Sequence, residues 1–383
     1  MLKKKISVLT AIILCVIISV ATAAACYFIM PFNNLSRKVN EVTNIINNNF
    51  DGEINDEVID EAVFNALIKS LNDKYGAYYN TDDSNDFFSR YEKDNEGLGI
   101  DYALQANGNI IAILIHANSP ADKAGIKLYD EIIAIDNLTI KDDGARKILE
   151  YVSNKPIDDN VNIKLLRDGK VLEFNVTIGI YEKQTVFYEN IDDVGYIKIT
   201  HFDDSTINAF KLALNNLKAQ NIKSLLFDVR YNTGGTVNAV SDVLDVLLPE
   251  CDIISVKYKN GVKKVLRHSD SKCETIPMAV LINGNTASAS ELFAAAIKEM
   301  NNGKLIGEKT YGKGTIQSVF EISDGSVLKI SVGKFYTPRG NNFDGVGIKP
   351  DIEVKTTEDQ NKTYYLLTTE NDPVIIKGIE SLK

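Results

Sequence analysis

The sequence predicts an α/β core with a largely parallel sheet, an inserted β-rich domain, and an N-terminal helical region behind a single apolar segment. After Val186, apolar runs alternate with stretches of helical spacing, the order of a sheet built from strand-helix-strand units. Between Glu96 and Glu182 the pattern shortens into alternating strands broken by Gly, Asn and Asp turns. Ahead of both, Lys3-Lys4-Lys5 leads into an almost uncharged run from Ile6 to Met30. These changes divide the 383 residues into 1–32, 33–95, 96–182, 183–355 and a tail, 356–383.

At 44% hydrophobic and 25% charged, the chain has material for about two or three domains with their own cores. Its net charge of −10 argues against a nucleic-acid partner and speaks to solubility rather than to fold. No metal-ligand spacing is present, and no cofactor is expected.

The run from Ile6 to Met30 is long enough to span a bilayer, and the lysines before it place the N-terminus in the cytoplasm. Ala23 and Ala25 offer a cleavage point ahead of Cys26. Apolar residues continue through Tyr27, Phe28 and Ile29, so an uncleaved membrane anchor is expected rather than a removed signal, with secretion after cleavage as the alternative. Under either reading the remainder works outside the cytoplasm. Cys15 and Cys26 read as apolar filler within this segment. Cys251 and Cys273 flank an expected hairpin, Ile253 to Leu266, and either pair in an oxidising compartment or stay as two thiols.

Residues 33–95 read as polar and helical, with Val58, Ile59, Val63, Ala66, Leu67 and Leu71 at three-and-four spacing, followed by Tyr75-Gly-Ala-Tyr-Tyr79. A small helical cap on the larger domains is the plain expectation.

From Glu96, Gly97-Leu98-Gly99-Ile100 opens a series of short strands. Ser119-Pro-Ala-Asp-Lys-Ala-Gly-Ile126 and Asp130-Glu-Ile-Ile-Ala-Ile-Asp136 follow, then a helix over Ala145 to Val152 and strands over Val161 to Leu166 and Val171 to Ile178. In this combination the segment resembles a PDZ domain. The resemblance implies that Gly97, Leu98, Gly99 and Ile100 offer backbone N–H groups to the C-terminal carboxylate of a peptide, whose backbone adds to the next strand edge.

The core reads as strand Gly195 to Ile199, helix Ser205 to Ala219, strand Ser224 to Asp228, helix Val237 to Leu247 and strand Ala279 to Ile282. Asp228-Val-Arg-Tyr-Asn-Thr-Gly-Gly235 ends a strand, where α/β folds place their sites, although Gly234-Gly235 alone reads as a turn. The strand ending at Ile282 breaks at Asn283-Gly284, and helical spacing resumes with Leu292, Phe293, Ala296 and Ile297. Ser288 stands where that helix begins.

Two readings of Ser288 are open. With Glu291 three residues on it forms a capping box, the helix closing at Asn302-Gly303. Alternatively it is a nucleophile, since a helix start supplies unpaired N–H groups to a developing oxyanion. None of His116, His201 and His268 sits in a motif resembling a catalytic one. Lys313, between Gly312 and Gly314, is either a solvated surface lysine or a base whose pKa burial lowers.

Thr286-Ala-Ser-Ala-Ser-Glu291 and Tyr311-Gly-Lys-Gly-Thr-Ile-Gln317 together resemble the carboxyl-terminal processing (tail-specific) serine peptidases, which use a Ser–Lys dyad assisted by a Gln. The resemblance puts Ser288 on the nucleophile, Lys313 on the general base and Gln317 on the residue that orients the lysine. Ser290 is the near rival to Ser288, and the interval 313 − 288 = 25 favours Ser288. It also implies that the amides of Gly234 and Ala289 form the oxyanion hole, with Gly235 as the alternative to Gly234. A fully extended 313–317 would hold Lys313 and Gln317 roughly 13 Å apart, so a turn at Gly314 is expected.

Phe335 to Gly340 and Gly345 to Ile352 match the family too and read as closure of the sheet; the tail beyond Glu353 is uninformative. The implied activity is that of an extracytoplasmic serine endopeptidase acting on exposed C-terminal tails. In that family the region before the PDZ segment often covers the site or joins two copies into a homo-oligomer. The rival from another class is a PDZ scaffold or chaperone with a silent core, against which the intact set Ser288, Lys313 and Gln317 argues.

Overall fold

The computed structural model describes residues 16–19, 34–84, 87, 95–105, 107–301 and 303–383. Apart from 16–19, the run expected to anchor the chain lies outside the described residues, as do Cys15 and Cys26. Among the described residues no helix is long and apolar enough to cross a membrane.

Residues up to Ala66 group into one unit and Leu67–Lys383 into a second. Helix α1 (Asn34–Asn49) in the first is amphipathic, with Leu35, Val39, Val42 and Ile45 recurring on one side. Helix α2 (Asp56–Ser70) follows the predicted apolar spacing. The region is not helical throughout. After a turn closed by Asp73, Ala77–Tyr79 forms strand β1 and pairs antiparallel with Val327–Tyr336 near the far end of the chain. Two adjacent tyrosines favour a pleated, half-buried surface, and a partner strand was waiting there.

The next domain is inserted after β1. It comprises β2 (Glu96–Gly97), β3 (Ile100–Leu104), β4 (Ile110–Ile115), α3 (Pro120–Ala124), β5 (Glu131–Ile135), β6 (Leu138–Thr139), α4 (Ile140–Ser153), β7 (Asn160–Arg167), β8 (Lys170–Thr177) and β9 (Gly179–Ile180). The antiparallel order β3-β4-β5-β7-β8 leaves β3 as an edge strand, while β2 pairs with β9. Alternate residues of β7, among them Val161, Ile163 and Leu165, face a core shared with Ile110, Ile135 and Ile148.

The core continues through β10 (Val186–Ile191), β11 (Val194–Ile199), α5 (Thr206–Ala219), β12 (Ser224–Asp228), α6 (Val237–Leu247), β13 (Cys251–Tyr258), β14 (Lys263–Ser269), β15 (Met278–Ile282), α7 (Ala289–Asn301), β16 (Lys304–Gly307), β17 (Thr315–Glu321), β18 (Val327–Tyr336), β19 (Ile352–Glu353), α8 (Glu358–Lys362) and α9 (Pro373–Glu380). Its main sheet runs β10-β11-β12-β15-β16-β19, parallel from β11 to β19, as the alternation predicted. Strands β12 and β15 are buried along their whole length, which is why they read as unbroken apolar runs. Phe210, Phe227 and Phe293 pack on one face of the sheet, and Leu226, Leu281 and Ile306 on the other.

Two features depart from expectation, and a third decides between alternatives that the sequence left open. A second, antiparallel sheet joins β1, β18, β13 and β14, with β17 on the other flank of β18. The tail is part of the core: Val374, Ile375 and Ile379 of α9 cover the second face of the main sheet, and Gly378 lets that helix close on Leu226 and Leu281. Cys251 and Cys273 are free thiols; Cys251 Sγ lies 3.3 Å from Ser269 Oγ instead.

Candidate active site

Ser288 sits between β15 and α7 in a loop stapled from below. Thr286 Oγ1 donates to Val229 O (2.9 Å), and Ala287 N donates to Asn232 O (3.1 Å), joining this loop to the one leaving β12. Ser288 has φ of 58°, a left-handed conformation that non-glycine residues seldom adopt and that concentrates at functional sites. Only half of the expected capping box exists. Glu291 Oε2 accepts from Ser288 N at 2.9 Å, but among the described residues no N–H is bound to Ser288 Oγ. The hydroxyl is therefore not consumed as a cap. At the far end of α7, Gly303 N donates to Ile297 O at 3.3 Å, while Asn302 lies outside the described residues. Ser290 is wholly buried, with Oγ unpartnered among the described residues, so a polypeptide cannot reach it; Ser288 is half-buried.

Glu291 does more than face Ser288. It is 0% exposed, and its carboxylate also accepts from Lys313 N (2.8 Å), Gly312 N (2.7 Å) and Thr310 Oγ1 (2.5 Å). Thr310 Oγ1 itself receives Ile348 N at 2.7 Å, so its proton points at Glu291. One oxygen, Oε2, thus holds the backbone of both Ser288 and Lys313. Burial pushes this carboxyl above its ordinary range, opposed by those four hydrogen bonds, all of which suit the carboxylate. Glu291→Gln would turn an amide N–H₂ toward N–H donors. We expect it to cost about 3 kcal/mol of folding free energy in urea unfolding, and Thr310→Val about 1 kcal/mol.

Lys313 is half-buried, and burial, with Lys329 nearby, holds its ammonium below the usual lysine range. Its Nζ lies 4.8 Å from the centroid of the Tyr75 ring. Gln317 does not meet it. The Gln317 amide donates to Thr315 Oγ1 (2.9 Å), Thr315 O (3.2 Å) and Ser331 Oγ (3.4 Å). The left-handed residue is Gly312 (φ 92°), not Gly314. Gly314 instead lies close against the Asp344 backbone, and a bulge at Ile316/Gln317 shifts the register of β17 on β18. Strand pairing sets Gln317 opposite Ser331 within the sheet.

Gly234 approaches Ser288 so closely that a Cβ there would stand 3.0 Å from Ser288 Cβ and 3.1 Å from Ala289 N, with φ at 115°. Its own N–H, expected in the oxyanion hole, donates to Asn232 Oδ1 at 2.9 Å. Gly235 forms a parallel bridge with Phe202. Ala289 is the first residue of α7, so its N–H has no intrahelical acceptor, and it follows Ser288 directly in the chain.

Sequence reasoning missed the support under this loop. Arg230 Nη2 lies 2.7 Å from Asp228 Oδ2 and 2.8 Å from Asp372 Oδ2, and Tyr196 OH donates to Asp228 at 2.8 Å. Burial alone would raise the Asp228 carboxyl; the Arg230 guanidinium overrides it and holds it below the usual range. Tyr231 (φ 62°) stacks on Tyr364 at 3.9 Å. The Asp-Val-Arg spacing was visible, but its partner, Asp372, is 142 residues away from Arg230.

In the inserted domain, Gly97, Leu98, Gly99 and Ile100 border a cavity of about 440 Å³ between β3 and α4, with Leu149 and Val152 opposite. Leu98 O and Gly99 O are taken by Ala121 N (2.9 Å) and His116 N (3.0 Å), so these two carbonyls are not open to a ligand. Gly99 (φ 75°) lies against Ser119, where any Cβ would collide. His116, buried, accepts from Gln184 N through Nδ1 (3.0 Å) and faces Asp101 through Nε2 (3.2 Å). Among the described residues no group of three or more His, Cys, Asp or Glu side chains could hold a metal ion.

Comparison with known proteins gives consistent matches. Residues 193–354 match peptidase family S41 and residues 96–178 match the PDZ domain. The chain is similar to the carboxy-terminal processing protease CtpA of Bacillus subtilis, 32% identical over 78% of this chain and 66% of that protein. It is similar also to CtpB of the same organism, 31% identical over 76% of this chain and 61% of the relative. The chain thus spans about two thirds or less of the length of these relatives. A solved structure of the photosystem II D1 C-terminal processing protease shares the fold, with TM-score 0.52 and 24% identity over 77% of this chain and 81% of the other.

Proposed function

Since the chain belongs to peptidase family S41 and carries a PDZ domain, we propose that it is a serine endopeptidase that cuts proteins near their C-termini, outside the cytoplasm. Ser288 carries the reading. It is a half-buried serine in left-handed backbone, its hydroxyl unused as a cap, at the start of α7 and on the same carboxylate oxygen as Lys313 N. In this reading Ser288 Oγ attacks the peptide carbonyl while neutral Lys313 takes its proton. The Ala289 N–H receives the developing oxyanion, joined by the Gly234 N–H once it leaves Asn232. Collapse of the tetrahedral adduct breaks the C–N bond, Lys313 returns its proton to the departing amine, and water then hydrolyses the acyl ester. Gln317 serves the lysine only after its amide leaves Thr315. No cofactor enters these steps.

The cavity between β3 and α4 is where a substrate tail would bind, its carboxylate on the amides of 97–100 and its backbone along the β3 edge. We assign the Ile6–Met30 run to a membrane anchor, which holds this machinery at the outer face.

The test is incubation of the purified full chain with an unstructured protein ending in an apolar residue, with a free or an amidated C-terminus. Fragments are expected from both, with KM about tenfold higher for the amidated form because tethering is lost. Tight binding of the free tail without any fragment would instead identify a silent scaffold. Equal KM values would reduce the PDZ domain to a spacer.

A further inference from the structure

The turn between α2 and β1 touches Lys313 and reaches Gln317 through one serine. Asp73 accepts from Ser331 N (2.7 Å) and Ser331 Oγ (2.9 Å) on β18, and from Tyr75 N (3.1 Å) in its own turn. Ser331 Oγ is also the outer partner of the Gln317 amide. Two residues beyond Asp73, the Tyr75 ring covers Lys313 Nζ. A single turn, pinned to β18 by a carboxylate, therefore faces Lys313 directly and Gln317 through one serine.

The face of an aromatic ring is electron-rich. It attracts an ammonium and has little hold on a neutral amine, so it favours the protonated lysine. Burial and Lys329 on β18 work in the opposite direction. Tyr311, which precedes this segment, Asp344, ahead of β19, and Glu291 on α7 stand around the ring. Burial among these groups pushes the Tyr75 phenol up to about 12, so the ring stays neutral at working pH.

We propose that Tyr75 is a positioning residue for Lys313: its ring face holds the side chain as an ammonium, away from Gln317, and the neutral amine forms when the lysine leaves the ring. The consequence for rate rests on the reading of Lys313 as base; the contact itself does not. It also accounts for Gln317 being bound to Thr315 and Ser331, because an ammonium on Tyr75 leaves the amide no lysine to orient.

The test keeps the ring of residue 75 and alters its face, with Tyr75→Phe as the control for loss of the hydroxyl and its hydrogen bond to Tyr311. In the full chain carrying Ser288→Ala, with lysine labelled at Cε, the Lys313 titration is followed by NMR for Tyr75, Tyr75→Phe and phenylalanines of rising fluorine content at position 75. Phenylalanine should leave the midpoint in place. Fluorination should lower it stepwise, by about one pH unit for the fully fluorinated ring. A midpoint that stays constant across the series, or rises, overturns the proposal. The same series with Ser288 intact separates it from the functional reading. The acidic limb of kcat should move with the NMR midpoint, giving about tenfold faster cleavage below the limb. An NMR midpoint that moves while the limb stays put would keep Tyr75 as the holder of Lys313 and remove Lys313 as the base.

Discussion

Lys313→Arg is expected to abolish cleavage as completely as Lys313→Ala, by about 10⁴-fold or more, while leaving the protein folded. A guanidinium keeps the positive charge and most of the length of the lysine, but it does not release its proton at any working pH, so it cannot accept one from a hydroxyl. The structure sharpens this expectation. The Lys313 backbone is held by Glu291 through its N–H, a bond that neither substitution removes, so loss of activity without loss of folding would isolate the amine. The sign of the pH dependence follows from the direction of its shift. Burial beside Lys329 lowers the Lys313 pKa, so the neutral amine is populated below the range of a free lysine. The rate should fall as pH drops through that lowered value. Steady-state assays of both variants and a wild-type pH profile check these outcomes together. Wild-type rates from the arginine variant, or a profile flat down to the carboxylate range, would remove Lys313 from the mechanism.

Ser288→Ala is expected to reduce cleavage by about 10⁴-fold or more, leaving only what substrate binding and the oxyanion amides supply. Binding of a free C-terminal tail should be unchanged, because the cavity between β3 and α4 contains no part of α7. Folding should be affected little by loss of the hydroxyl, since the cap contact at this position runs from the Ser288 backbone to Glu291 and not through Oγ. Some strain remains, because alanine must adopt the same left-handed φ of 58°. Ser290→Ala is the control. That hydroxyl is buried and unpartnered among the described residues, so its removal should leave the rate within a few-fold of wild type. Activity surviving Ser288→Ala and lost in Ser290→Ala would reverse the assignment. Mass spectrometry after treatment with a serine-directed phosphonate checks it independently, since the adduct should sit on the peptide containing Ser288.

Much of the architecture followed from local pattern. Strands β12 and β15 are apolar along their length because the sheet buries both of their faces, and helices α5 and α6 between the core strands carry a 3.6-residue period. That alternation implies the parallel sheet, since each strand must return by a crossover. The inserted domain was legible for the same reason: its turns and alternating strands are set by nearest neighbours in sequence. The short stretches around Ser288, Lys313 and the Gly97–Ile100 loop could likewise be picked out, as each motif spans only a few residues.

What only the tertiary structure decided involves partners far apart in the chain. Whether Ser288 is a cap depended on where Glu291 directs its carboxylate, and Gly312 and Lys313 supply part of that answer. Gln317 could not be placed from its spacing to Lys313, because β18 sets the register of β17 and Ser331 competes for the amide. Tyr75 and Asp73 looked like residues of a helical cap, yet they face Lys313 and Ser331 across more than half the chain. The tail had no readable pattern, although Asp372 completes the ion pairs of Arg230 beneath the Gly234 loop. Side-chain hydrogen bonds and ring contacts of this kind leave no period in a sequence, because each depends on two positions that folding alone brings together.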